Sequence, residues 1–113
     1  MLNNCESYDV GADKWMRLSS LKVARYNHAS CIFNSKEIYV FGGFDGYNEI
    51  NVIEAYNIKE GAWNNVNLKA SHWTPCDYSC IHQISPNEIL ISGGIGNLIS
   101  YIFNHDEQQI IEK

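Results

Sequence analysis

Four side chains of zinc-binding type fall within eleven residues: His72, Cys76, Cys80 and His82. Imidazole nitrogen and thiolate sulfur are the right donors for that metal. Their spacing is wrong for the common fingers, which pair cysteines over two to four residues and place histidines farther on. The cysteines stand at positions 5, 31, 76 and 80 and form no Cys-x-x-Cys pair. Strand alternation puts Cys80 and His82 on one face. Cys80 also sits in an apolar run, where it reads as a small hydrophobe on the core side of a strand. Packing cysteines and polar histidines are therefore expected, with no metal and no cofactor. A second chemical candidate is Gly93-Gly94-Ile95-Gly96, which looks like part of a nucleotide loop. That loop must open a helix, and here a β-like run follows. No Gly-x-Ser-x-Gly elbow is present. With no site visible, no catalytic residue and no enzymatic activity are expected.

The elements that carry these residues are short strands. Runs rich in Ile, Val, Tyr and Phe are broken by Asn, Asp, Gly and Ser clusters. The pattern predicts strands over 28–33, 37–41, 52–56 and 63–66, forming one antiparallel meander. A second meander follows over 78–84, 88–92, 99–103 and 108–111. Before both, 5–9 and 15–18 match only the last two strands of such a unit. The segment 19–24 is ambiguous and too short to assert a helix.

The units repeat. Gly42-Gly43 and Gly93-Gly94 each close an apolar run and lie 51 residues apart. Tyr8 and Trp15 recur as Tyr56 and Trp63, 48 residues on, and Phe103 with Ile110 keeps the spacing without the Trp. Self-similarity at this period marks a repeat architecture. A seven-residue spacing across a tight turn brings the Tyr and Trp side by side on neighbouring strands. Arg25 lies within reach of aromatic faces or strand-end carbonyls and reads as structural.

Composition narrows the partners. The chain has 113 residues, 45% of them hydrophobic, enough for a packed core. Net charge is -5, and after Lys69 the only basic residue is Lys113. That balance argues against nucleic acid, which demands clustered Lys and Arg. No run approaches a membrane span, and the N-terminus lacks a secretory pattern. A reducing, cytoplasmic setting is expected.

Arg25, His28-Ala29, the run 38–43, Phe44-Asp45-Gly46, the run Ile53-Glu54-Ala55-Tyr56 and Trp63 resemble the kelch repeat in order and spacing. The elements after Gly42-Gly43 and around Glu54 are most similar to repeats of kelch-like adaptor proteins. The second unit is more divergent: Cys76 replaces the Arg, the loop after Gly94 is shorter and Ile110 replaces the Trp. The resemblance implies an all-β fold, a partial kelch β-propeller of four-stranded antiparallel blades. Its units are a half blade over 1–20, a complete blade over 21–68 and a degenerate blade over 69–113. Structural repeat positions are Tyr8, Trp15, Gly42, Gly43, Glu54, Tyr56, Trp63, Gly93, Gly94 and Phe103. A propeller closes with about four to eight blades, so a fragment of a longer ring is expected. A truncated product or a ring of several copies are the alternatives, and unclosed blade faces offer a route to self-association.

The resemblance also implies a non-catalytic module that binds an unidentified protein partner. Its partner-facing positions would be Arg25, Tyr26, Asn27, Phe44, Asp45, Tyr47 and Asn48, then Asp77, Tyr78 and Ile95 in the divergent unit. Two roles compete, a substrate receptor of a ubiquitin ligase and an actin or cytoskeletal binder. A copper oxidase is the enzymatic alternative. Such enzymes gather Tyr, Cys and His ligands from several blades, and no such set is evident here.

Overall fold

The computed structural model describes residues 2–69, 73–75 and 78–113. Its strands are β1 (Cys5–Asp9), β2 (Lys14–Leu18), β3 (Ala29–Phe33), β4 (Glu37–Phe41), β5 (Glu54–Asn57), β6 (Ala62–Asn65), β7 (Ser79–Ser85), β8 (Glu88–Gly93), β9 (Tyr101–Asn104) and β10 (Gln109–Glu112). Each begins and ends within two residues of its predicted place. The segment 19–24 is irregular, and no helix occurs among the described residues. No helix is therefore long and apolar enough to cross a membrane.

Three antiparallel sheets result: β1-β2, β3-β4-β5-β6 and β7-β8-β9-β10, each a simple meander. Tight turns set the register. Asn34 and Ser35 both adopt positive φ between β3 and β4, and Asn57 Oδ1 accepts the Glu60 backbone N–H between β5 and β6. Asn tolerates the left-handed region because its short polar side chain bonds locally. The register places Tyr8 opposite Trp15 and Tyr56 opposite Trp63. Their ring centroids lie 5.2 and 5.1 Å apart, contacts worth about 1 kcal/mol each beyond area burial. Ile110 faces Phe103 at the corresponding place.

The core lies between the two four-stranded sheets. Phe33, Tyr39, Phe41, Ile53 and Ala55 face Ile81, Ile89, Ile91, Tyr101, Phe103 and Ile110. Phe103 meets Tyr39 at 5.4 Å and Phe41 at 5.7 Å. Alternation turns Ile38, Val40 and Tyr56 the other way, and Ile38 and Val40 line a cavity with Leu2, Cys5, Leu21 and Trp63. Both faces of this sheet thus carry apolar side chains.

The divergent sheet corrects one expectation. Cys80 is exposed and does not lie on the core side. It pairs with Ser92, so its neighbour Ile81 takes the inward position. Cys80 and His82 point away from the other sheets, on a face shared with Leu90, Ile102 and Ile111. Cys31, by contrast, is half-buried, and burial raises its thiol pKa to about 11, which keeps it protonated and unreactive. His72 and Cys76 lie outside the described residues.

Candidate protein-binding rim

The loops 19–28, 42–53 and 94–100 leave the same end of the stacked sheets, as does the described part of the connection from β6 to β7. Beneath the first two lies a buried ion pair. Arg25 Nη1 donates to Gly42 O and Val52 O, both at 3.0 Å, and Nη2 donates to Glu54 Oε2 at 2.8 Å. Glu54 Oε1 accepts the Lys22 N–H at 2.7 Å, and Oε2 also accepts that of Val23 at 3.2 Å. Burial lowers the guanidinium's pKa, while the hydrogen bond and charge of Glu54 pull it back up. Both side chains are fully buried. Arg25 therefore ties the inter-sheet crossing to two strand ends and lies under the rim. It is not part of the exposed surface, a correction to its expected partner-facing role, because both terminal nitrogens are engaged inside and the side chain is buried.

The rim itself is aromatic and ordered. Tyr26 and Phe44 exchange backbone hydrogen bonds at 3.2 and 3.0 Å. Their rings meet edge to face at 5.8 Å. Asp45 Oδ1 accepts the Asn48 and Tyr47 backbone N–H groups, each at 2.8 Å. Those two bonds hold the carboxyl below its ordinary pKa, and they fix the loop through Gly46, whose φ is +100°. Tyr47 is left 87% exposed. Asn48 stands exposed beside it.

The divergent blade adds Tyr78 and Ile95, each 63% exposed. The Tyr78 backbone N–H donates to Asn27 O at 3.0 Å and so links the two blades at the rim. Asn27 and Tyr78 occupy equivalent places and both have positive φ, 56° and 60°. That conformation is easy for Asn and strained for Tyr. Asp77 lies outside the described residues.

The structure also shows how the divergent blade manages at the seam where Arg25 serves its neighbour. By register Tyr101 stands where Glu54 stands, opposite Ile91 as Glu54 is opposite Val40. Its hydroxyl accepts the Thr74 N–H at 3.2 Å, as Glu54 accepts the crossing segment before β3. Asn97 Nδ2 donates to Gly93 O and Ile99 O, both at 2.8 Å. These carbonyls correspond to Gly42 O and Val52 O. A side chain from the rim loop thus does part of what Arg25 does from the crossing segment. Sequence comparison by position misses it, because the replacement comes from a different loop. Asn97→Ala should lower stability by about 1–2 kcal/mol through two lost hydrogen bonds, measured by urea denaturation. A change within error would show that those carbonyls are served by water.

Residues 24–67 match the Kelch motif. Kelch-like protein 7 of Rattus norvegicus, and that of Mus musculus, are 33% identical over 105 residues, 89% of this chain and 17% of each relative. Kelch-like protein 4 of Homo sapiens is 36% identical over 63 residues, 55% of this chain. The chain spans 9 to 17% of the length of these relatives.

Proposed function

We propose that this kelch-repeat chain, a partial kelch propeller, is a non-catalytic protein-binding module within an intracellular adaptor. The observation that carries the reading is the rim: Tyr26, Phe44, Tyr47, Tyr78 and Ile95 present apolar surface from loops pinned to rigid sheets. Amphipathic aromatics on a fixed scaffold suit protein recognition. Asn27, Asp45 and Asn48 would supply the polar edge. Residues 21–68 and 69–113 act as two blades of one binding surface in this reading, with 1–20 bracing the first.

Within this reading the chain serves either as part of a substrate receptor of a ubiquitin ligase or as a cytoskeletal binder. The partner-docking surface would then lie on the rim, and the cytoplasm would be its setting. Unpaired sheet faces, such as that of Cys80 and His82, give the isolated chain a further tendency to self-associate.

The test compares two ends of the same sheets by affinity purification. Tyr47→Ala and Phe44→Ala should reduce capture of a discrete partner about tenfold or more, as loss of an aromatic anchor does. Lys59→Ala, in the turn at the opposite end, should leave capture intact. Equal capture by all three variants would overturn the rim as the binding surface. Ubiquitylation of the captured partner that falls with Tyr47→Ala would support the receptor role, and unchanged partner turnover would sink it.

A further inference from the structure

Between the two blades, at the outer side of the rim, lies a cavity of about 490 Å³ walled by Trp73, Tyr101, Glu112, Asn51 and Leu68. We infer that this cavity takes an arginine side chain of the partner, an inference that rests on the protein-binding reading above. Trp73 and Tyr101 meet edge to face at 6.4 Å, so the wall contains two aromatic rings at nearly a right angle. Glu112, at the end of β10, lines the same cavity. Asn51 supplies an amide oxygen as a further acceptor. Aromatic faces attract cations through the ring quadrupole, and a carboxylate receives a planar guanidinium in two parallel hydrogen bonds.

Among the described residues neither this cavity nor the adjoining one, of about 320 Å³, has a Lys or Arg in its wall. The adjoining cavity shares Thr74 and Ile99 and adds Glu49, Ile95 and Leu98. No ion pair engages Glu112 or Glu49 among the described residues. Past Lys69 the sequence carries five acidic residues against one basic residue, Lys113, so this part of the chain favours a cationic partner group. The neighbouring seam makes the chemical case by contrast. There a guanidinium is built in, on Glu54 and two carbonyls. Here Asn97 has taken the equivalent carbonyls, and Glu112 and the partly buried Trp73 line the cavity instead. Glu49, Ile95 and Leu98 extend the same acidic and apolar character toward the rim. A peptide lying on the rim could therefore place one arginine between Trp73 and Glu112.

The probe is acetyl-Gly-Arg-Gly-amide, titrated into the uniformly nitrogen-15 labelled full chain. The indole N–H signals of Trp15, Trp63 and Trp73 are assigned by single Trp→Phe variants. Trp73 should shift saturably while Trp15 and Trp63, at the other seam, stay put. Replacing arginine by citrulline, its neutral analogue, should weaken binding about threefold to tenfold, as should Glu112→Gln. Glu107→Gln, a carboxylate in the turn before β10, should leave it unchanged. No saturable shift, an equal response to the citrulline peptide, or full affinity in Glu112→Gln each overturns the arginine site. Failure here, with partner capture still dependent on Tyr47 and Phe44, removes the cavity and leaves the binding rim standing. Loss of both dependences removes the rim reading itself.

Discussion

Arg25→Met should lower the unfolding free energy by about 3–5 kcal/mol, the loss typical of removing one partner from a buried ion pair. A domain of this size is stable by only about 5–15 kcal/mol, so the variant loses a large share of its margin. The geometry explains the size. Arg25 and Glu54 are both fully buried, and burial keeps water from solvating a carboxylate left alone. Two carbonyls, of Gly42 and Val52, lose their donor at the same time. Arg25→Lys should fall between the variant and the original. An ammonium keeps the charge but cannot span Glu54 and both carbonyls from one plane. Urea denaturation followed by tryptophan fluorescence gives the order. An Arg25→Met protein within about 1 kcal/mol of the original would show that the pair adds little over an apolar filling.

Much of this architecture was legible from local pattern. Gly42-Gly43 and Gly93-Gly94 mark the ends of β4 and β8, and the recurring Tyr and Trp mark β5 with β6 and β1 with β2. Alternation and turn residues act over a few positions, and those are the distances at which a sequence can be read. The seam between blades is not local. Arg25 reaches residues 17 to 29 positions away, and nothing in the spacing names those acceptors. Cys80 shows the same limit. Its run predicts a strand correctly, but a blade has two faces, and only the stacking order says which is covered in this chain. Asn97 is the clearest case, since chemistry was kept while the position that supplies it moved. The rim residues are proposed through resemblance, and the burial of Arg25 beneath them required the fold.

Gly43 is the second residue of its Gly pair and Gly93 the first of its own, and the two places should respond unequally to substitution. Gly43 has φ +92°, and a Cβ there would stand 2.8 Å from Tyr26 O and 3.1 Å from His28 Cβ. The closest approach is to a backbone oxygen, so no side-chain rotation relieves it. Gly43→Ala combines a strained φ with overpacking, each worth about 1–3 kcal/mol, and should cost about 3–5 kcal/mol in total. Gly93 has φ +74°, and a methyl group there would meet nothing within 4 Å among the described residues. Gly93→Ala carries only the conformational part, about 1–2 kcal/mol. Thermal or urea unfolding of the two variants gives the comparison, and equal losses would mean that the contact with Tyr26 relaxes freely. The difference reaches the rim as well. Tyr26 O is the acceptor for the Phe44 N–H, so pushing it away from Gly43 also separates the Tyr26 and Phe44 rings. Gly43→Ala should therefore weaken partner capture even where the protein remains folded. Gly93→Ala should leave capture by Tyr26 and Phe44 unchanged.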